Sequence, residues 1–171
     1  MLQCIRTVAC AMLELVVESP AKKQRPSDDF ARYDVGRVLG EGAFAVVRRA
    51  VEKETGVARA MKLVDRQRSR PDIMAKEVQL LDAAGVNQHI IALVEHFETS
   101  NFMVLVLELV SGGEVFERIA TQGRLSEALA GSVVCQVAKA LVHLHDRHIV
   151  HRDLKPENLL YVNSSPDADV K

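Results

Sequence analysis

His151-Arg152-Asp153-Leu154-Lys155-Pro156-Glu157-Asn158 sets a carboxylate, an ammonium and a carboxamide on one short segment. These groups suit phosphoryl transfer, where positioning and charge matter more than covalent work by the protein. Asp153 can accept the proton of an attacking hydroxyl, and Lys155 can meet the charge of the moving group. Asn158, five residues past the aspartate, offers an oxygen to a divalent cation. Pro156 lacks a backbone N–H and disfavours helix, so a loop is expected. A charged surface loop without chemistry would account for the charges but not for their order.

Upstream, Val35, Arg37 and Leu39 lead into Gly40-Glu41-Gly42-Ala43-Phe44-Ala45-Val46-Val47. Two glycines at this spacing let backbone amides approach phosphate oxygens without obstruction. Gly-x-Gly also opens dinucleotide-binding folds, but those need a helix directly after the loop. Here β-branched Val46 to Val51 follows, then a turn at Thr55-Gly56, then Val57 to Val64, which predicts a hairpin. The loop therefore reads as a phosphate-covering flap between two strands, and a dinucleotide-dependent oxidoreductase fails on the strand after it.

Lys62 falls in the second of these strands, 22 residues after Gly40 and among apolar neighbours, where a lysine needs an acidic partner. Ile73, Glu77, Leu80, Leu81 and Ala84 recur at helical spacing, with Pro71-Asp72 as the start and Gly85 as the stop. Glu77 is the acid that this helix offers; Asp82 lies too near its end. Phe102 to Leu107 is apolar without alternation, as for a strand buried on both faces, and ends in Glu108-Leu109-Val110-Ser111-Gly112-Gly113-Glu114. Leu125-Ser126-Glu127 opens a helix with a Ser N-cap, and Leu129, Val133, Val137, Leu141 and Leu144 form one apolar stripe to His145. His143 and His145 read as helix-surface residues. Leu159 to Val162 is expected as a short strand, and Ser164 to Asp167 as a turn.

Taken together these segments resemble the eukaryotic protein kinases. The stretch Asp153-Leu154-Lys155-Pro156-Glu157-Asn158 is similar to the serine/threonine kinases, and Leu109 to Ile119 with the Pro-Glu-Asn ending most resembles the calcium/calmodulin-dependent group. The resemblance implies an α+β kinase-like fold: an N-terminal extension and linker (1–32), a small lobe with hinge (33–110) and part of a helical large lobe (111–171). The small lobe would be an antiparallel sheet with the family's αC helix. By resemblance, Asp153, Lys155, Lys62 and Glu77 are the catalytic set. Leu39, Gly40, Glu41, Gly42, Ala43, Phe44, Ala45, Val47, Ala60, Lys62, Glu108, Val110, Glu114 and Leu160 would surround ATP, and Asn158 would bind Mg²⁺. Within that set Glu77 holds Lys62 against the α- and β-phosphates, Ala60 roofs adenine and Leu160 floors it. Leu107 is the gatekeeper, Glu108 to Val110 the hinge, and Glu114 faces the ribose. His151 props the loop, and Arg152 hints at control by phosphorylation. Ala45 stands where the family has a third glycine, so modest slowing is expected. Glu114 and Glu157 would receive arginines upstream of the target residue of a basic protein substrate.

The resemblance places an Asp-Phe-Gly a few residues beyond Lys171. A chain stopping there is expected to be truncated, marginal in stability and inactive, with the apolar stripe of the Leu125–His145 helix uncovered. The alternative is a catalytically inactive kinase-like binding or regulatory module.

Composition narrows the remaining choices. The 171 residues suit one domain or slightly more, and 48% hydrophobic residues can supply a core. A net charge of −1 gives no field for nucleic acid, and five Phe, two Tyr and no Trp offer little for stacking bases. No apolar run approaches the ~20 residues of a membrane span. Cys4, Cys10 and Cys135 lack paired metal spacing and are expected as free thiols, which points to the cytoplasm. Met1 to Val17 carries Arg6 and Glu14, which spoil a signal-peptide core, and Leu2 excludes the myristoylation pattern. Ser19 to Asp29 reads as a solvated linker, with structure beginning near Tyr33.

Overall fold

A computed structural model describes residues 28–171, so the readings of Met1–Val17, Cys4 and Cys10 lie outside the described residues. A helical turn, α1 (Asp28–Ala31), precedes β1 (Tyr33–Glu41), β2 (Ala45–Glu52) and β3 (Ala58–Asp65). Helix α2 (Pro71–Ala84) follows, then β4 (Leu93–Glu98) and β5 (Phe102–Glu108). Helices α3 (Val115–Gln122) and α4 (Glu127–His145) form the second lobe. The five strands make one antiparallel sheet in the order β1-β2-β3-β5-β4. This is the α+β arrangement expected: an antiparallel small lobe with one helix, and a helical portion after it.

Alternation along the strands gives the sheet two buried faces. One carries Ala50, Met61, Val104 and Val106 with Phe97 and Tyr33. The other carries Val64, Met103, Leu105 and Leu107, and α2 closes it with Met74 and Val78. Pro71 occupies the first turn of α2, where its missing N–H costs nothing. Gly85 ends the helix at φ 62°, donating to the Leu81 and Asp82 carbonyls, a conformation that suits glycine.

Four local readings need correction. Ordered chain begins before Tyr33, because α1 brings Phe30 edge-on to Phe97, with ring centroids 6.4 Å apart, over the outer face of the sheet. Arg32 then grips Glu95 of β4 at 2.6 and 2.8 Å. That face needs an apolar cover, which Phe30 helps to supply; the linker reading of Ser19–Asp29 falls, for 19–27, outside the described residues. His143 is not a plain surface residue: its Nε2 lies 2.7 Å from the Ala84 carbonyl, joining α4 to the end of α2.

Pro156 opens a 3₁₀ turn (Pro156–Asn158) rather than excluding helix outright, since the first position of such a turn needs no N–H. Finally, the α4 stripe is covered in part, with Leu129, Val137 and Leu141 half-buried. Val133 and Leu144 are buried, and Val137 packs with Val115, Tyr161 and Val170. The exposed apolar residues of α4 are Val134 and Val142, on a different face.

Ser126 caps α4 as its sequence predicts, its Oγ accepting from the Leu129 N–H at 3.2 Å. By length and composition α4 is apolar enough to cross a membrane, which qualifies the expectation that no run comes near. Beyond the 3₁₀ turn the chain makes isolated bridges, Glu114 with Leu160 and Tyr161 with Val170, in place of a regular strand. Gly112 meets this segment so closely that an added Cβ would lie 2.0 Å from the Asn163 carbonyl oxygen.

Candidate active site

The flap is built by β1 and β2, with Gly40 opposite Val47 and Glu41 opposite Val46. The Gly42 N–H closes the turn on the Ala45 carbonyl at 2.8 Å. Neither Gly40 nor Gly42 has a positive φ, so what they contribute is bare backbone. Phe44 stands exposed at the tip beside exposed Ala43, while Gly40 is buried and Leu39 half-buried at the base. Ala45 has no left-handed φ either and pairs with Val64, so its methyl carries no backbone cost there.

Val47 faces Lys62 across β2 and β3, and Lys62 faces Leu105 across β3 and β5. Ala60 is two residues from Lys62 and opposite Leu107, so these side chains share the α2 face of the sheet. Helix α2 supplies Glu77, whose Oε1 lies 2.6 Å from Lys62 Nζ. Both side chains are only 4% exposed. The helical period turns Glu77 inward with Met74 and Val78, and strand alternation turns Lys62 to meet it. Each charge would be costly at this depth without the other.

His151, Asp153, Lys155 and Asn158 gather beyond the Glu108–Val110 segment. Asn158 Nδ2 donates to the Asp153 carbonyl at 2.6 Å and to Asp153 Oδ2 at 3.1 Å. Lys155 Nζ lies 3.0 Å from the same Oδ2. With its amide nitrogen so engaged, Asn158 Oδ1 is buried and has no hydrogen-bond partner. The Asp153 N–H donates to the His151 carbonyl at 2.9 Å, closing a tight turn around Arg152, and also reaches His151 Nδ1 at 3.4 Å. Arg152 sits at φ 61°, a left-handed conformation that costs a non-glycine residue roughly 1–2 kcal/mol. Burial pushes the His151 imidazole below its ordinary pKa, against the opposing pull of Asp153. A neutral ring leaves Nδ1 able to accept.

In the hinge, the Glu108 N–H is committed to the Ala92 carbonyl at 2.9 Å, and Leu109 and Val110 are half-buried. The segment after it is laid on the large lobe by Ser111 N–H to Val162 O and Gly112 N–H to Tyr161 O. Leu160, half-buried, pairs with Glu114. Glu114 itself is 4% exposed at the start of α3, deeper than a surface acid. The 3₁₀ turn leaves Glu157 more accessible.

An apolar cavity of about 130 Å³ lies behind the loop, among Leu80, Ile90, Leu144, Ile149 and Leu154. Neither Lys62 nor the flap lines it, but His151 and Asn158 of the loop do, together with Lys171.

Sequence reasoning missed Lys171, whose ammonium reaches Glu108 Oε2 at 2.8 Å, and Gln136, which accepts the Val170 N–H at 2.8 Å. Both are contacts between distant parts of the chain, with no local signal to find them.

Comparison with known proteins identifies the family. Over 142 residues the chain is 42% identical to a calcium/calmodulin-dependent protein kinase type I of Schizosaccharomyces pombe, covering 81% of this chain and 42% of that protein. Over 149 residues it is 42% identical to a calcium/calmodulin-dependent protein kinase type IV of Rattus norvegicus, covering 87% and 31%. A probable myosin light chain kinase of Dictyostelium discoideum is 38% identical over 135 residues, covering 79% and 43%. The chain thus spans less than half the length of each of these relatives. Residues 33–171 match the protein kinase domain, and the chain belongs to that family, on the side of the calcium/calmodulin-dependent serine/threonine kinases.

Proposed function

We propose that the protein transfers the γ-phosphate of ATP to serine or threonine hydroxyls of protein substrates. Family membership implies use of ATP and, typically, Mg²⁺. The observation that carries the reading is the Asp153–Lys155–Asn158 constellation, with Lys155 at 3.0 Å and Asn158 at 3.1 Å from the same Asp153 oxygen, on a loop held by a tight turn. Asp153 orients and deprotonates the substrate hydroxyl. Lys155, beside it, steadies the charge of the moving phosphoryl group. Lys62, fixed by Glu77, holds the α- and β-phosphates beneath the flap of Gly40 to Val47. The carbonyl of Glu108 and the backbone of Val110 pair with adenine, between Ala60 and Leu160.

The buried, unpartnered Asn158 Oδ1 fits a hard cation, which favours oxygen ligands. Bound there with phosphate oxygens, Mg²⁺ would neutralise charge on the nucleotide. Among the described residues no three His, Cys, Asp or Glu side chains form a metal cage, and Mg²⁺ commonly takes substrate phosphates and water as further ligands.

Substrates with basic residues upstream of the target fit a carboxylate at Glu157, helped by Glu114. The lysine side chain in the loop suits serine and threonine over tyrosine.

The test is titration of a fluorescent ATP analogue with and without Mg²⁺, paired with phosphate transfer to arginine-containing serine peptides by the complete polypeptide that holds residues 33–171. Lys62→Met should weaken nucleotide binding at least about tenfold, and Asp153→Asn should abolish transfer with binding retained. Full transfer by Asp153→Asn would overturn the assignment.

A further inference from the structure

Residues 169–171 span the two lobes. The Lys171 backbone pairs reciprocally with Leu160, N–H to O at 2.8 Å and O to N–H at 2.9 Å, placing it in the large-lobe layer beneath the nucleotide cleft. Its side chain runs the other way. Nζ lies 2.8 Å from Glu108 Oε2 in the hinge, and 3.4 and 3.5 Å from the carbonyls of Ile90 and Asn87, in the connection between α2 and β4. The Lys171 side chain is 10% exposed and that of Glu108 31%.

Glu108 is fixed again from the small lobe. Its N–H donates to Ala92 O, and its Oε2 accepts the Ala92 N–H at 3.3 Å. The two residues before Lys171 repeat the pattern. His89 Nδ1 lies 3.2 Å from the Val170 carbonyl, and Gln88 Nε2 donates to Asp169 Oδ2 at 3.1 Å. Three consecutive large-lobe residues thus grip one small-lobe turn.

We propose that Lys171, through Glu108 and the Asn87–Ile90 turn, is an interlobe clasp that sets the angle of the hinge over Leu160 and limits opening of the nucleotide cleft. Lys171 is a positioning residue in this scheme: its backbone supports Leu160 and its ammonium acts through Glu108. A part-buried ammonium with one carboxylate and two carbonyls is satisfied in only one arrangement of the lobes. Opening the cleft would separate these partners and return the charges to water one at a time. The consequence for nucleotide exchange rests on the proposed ATP-dependent activity; the mechanical claim does not.

The experiment measures interlobe distance by pulsed dipolar spectroscopy. One spin label sits on Glu54→Cys in the exposed β2–β3 turn, the other on exposed native Cys135 of α4, with Cys4 and Cys10 changed to Ser. Lys171→Met and Glu108→Gln should each broaden the distribution toward longer distances. The double variant should go no further than either single, and Lys171→Arg should keep the native distribution. In parallel, release of a fluorescent ATP analogue should quicken roughly threefold or more in the broadened variants.

Unchanged distances in both singles, or shifts that add in the double variant, would overturn the clasp. If Lys171→Met loses its cooperative melt, Glu108→Gln, which keeps side-chain shape, carries the same two outcomes. Native ATP binding that proved absent would defeat the proposed activity and leave the distance result standing.

Discussion

Lys62 Nζ and Glu77 Oε1 lie 2.6 Å apart at a depth where each side chain keeps 4% of its surface. One comes from the middle of β3 and the other from α2, so the pair welds helix to sheet. Its geometry also makes the sheet face and the helix face mutually dependent.

Glu77→Ala should leave a buried ammonium without a counter-charge and destabilise the fold by about 3–5 kcal/mol. The double change Lys62→Met with Glu77→Leu removes both charges and should recover most of that loss. Urea melts check both. A single substitution as mild as one on the surface would show that the pair is solvated in solution.

Fold stability should fall as pH drops below neutrality because of His151. Burial lowers its folded pKa beneath the ordinary value of about 6.5, so the unfolded chain binds a proton first. The contribution is full above about 6.5. It is lost as pH falls through the depressed folded value. Protonation also removes the Nδ1 acceptor for the Asp153 N–H. His151→Asn should flatten the decline of the urea midpoint between pH 7 and pH 5, and an unaltered pH profile would rule His151 out as its source.

Asn158→Ala removes both the tie to Asp153 and the unpartnered oxygen. The Mg²⁺ concentration that half-saturates nucleotide binding should rise about 10–100-fold, the usual effect of losing a metal-site residue. Magnesium dependence equal to that of the native protein would place the cation elsewhere.

Gly112→Ala should cost about 1–3 kcal/mol, because its Cβ would fall within 2.0–2.6 Å of Asn163 and Tyr161 atoms. Gly131→Ala, in α4 with nothing within 4 Å, should instead stabilise by roughly 0.5–1 kcal/mol. Thermal melts of the two variants moving in the same direction would contradict this packing.

What the sequence disclosed and what it withheld follow from the range of the interactions. The hairpin, the bounds of α2 and the Ser126 cap rest on local chemistry, a strand period, a leading proline and a closing glycine, and each lies where that chemistry puts it. Lys62 and Glu77 could be matched because an apolar strand and an inward helical position each restrict the side chain to one direction. His143, Phe30 and the Glu108–Lys171 pair gave no such sign. Their partners lie 59, 67 and 63 residues away, and no period or cap records such contacts. Helix α4 shows a subtler failure. Its apolar residues populate more than one face, so periodicity found a stripe but could not say which valines would remain in water.

The position of Phe30 bears on how the polypeptide can be handled in the laboratory. A version trimmed to start at Tyr33 would keep every strand yet strip the lid from Phe97 and release Glu95 from Arg32. A bare aromatic patch on the sheet's outer side invites self-association, so recombinant boundaries belong upstream of Asp28.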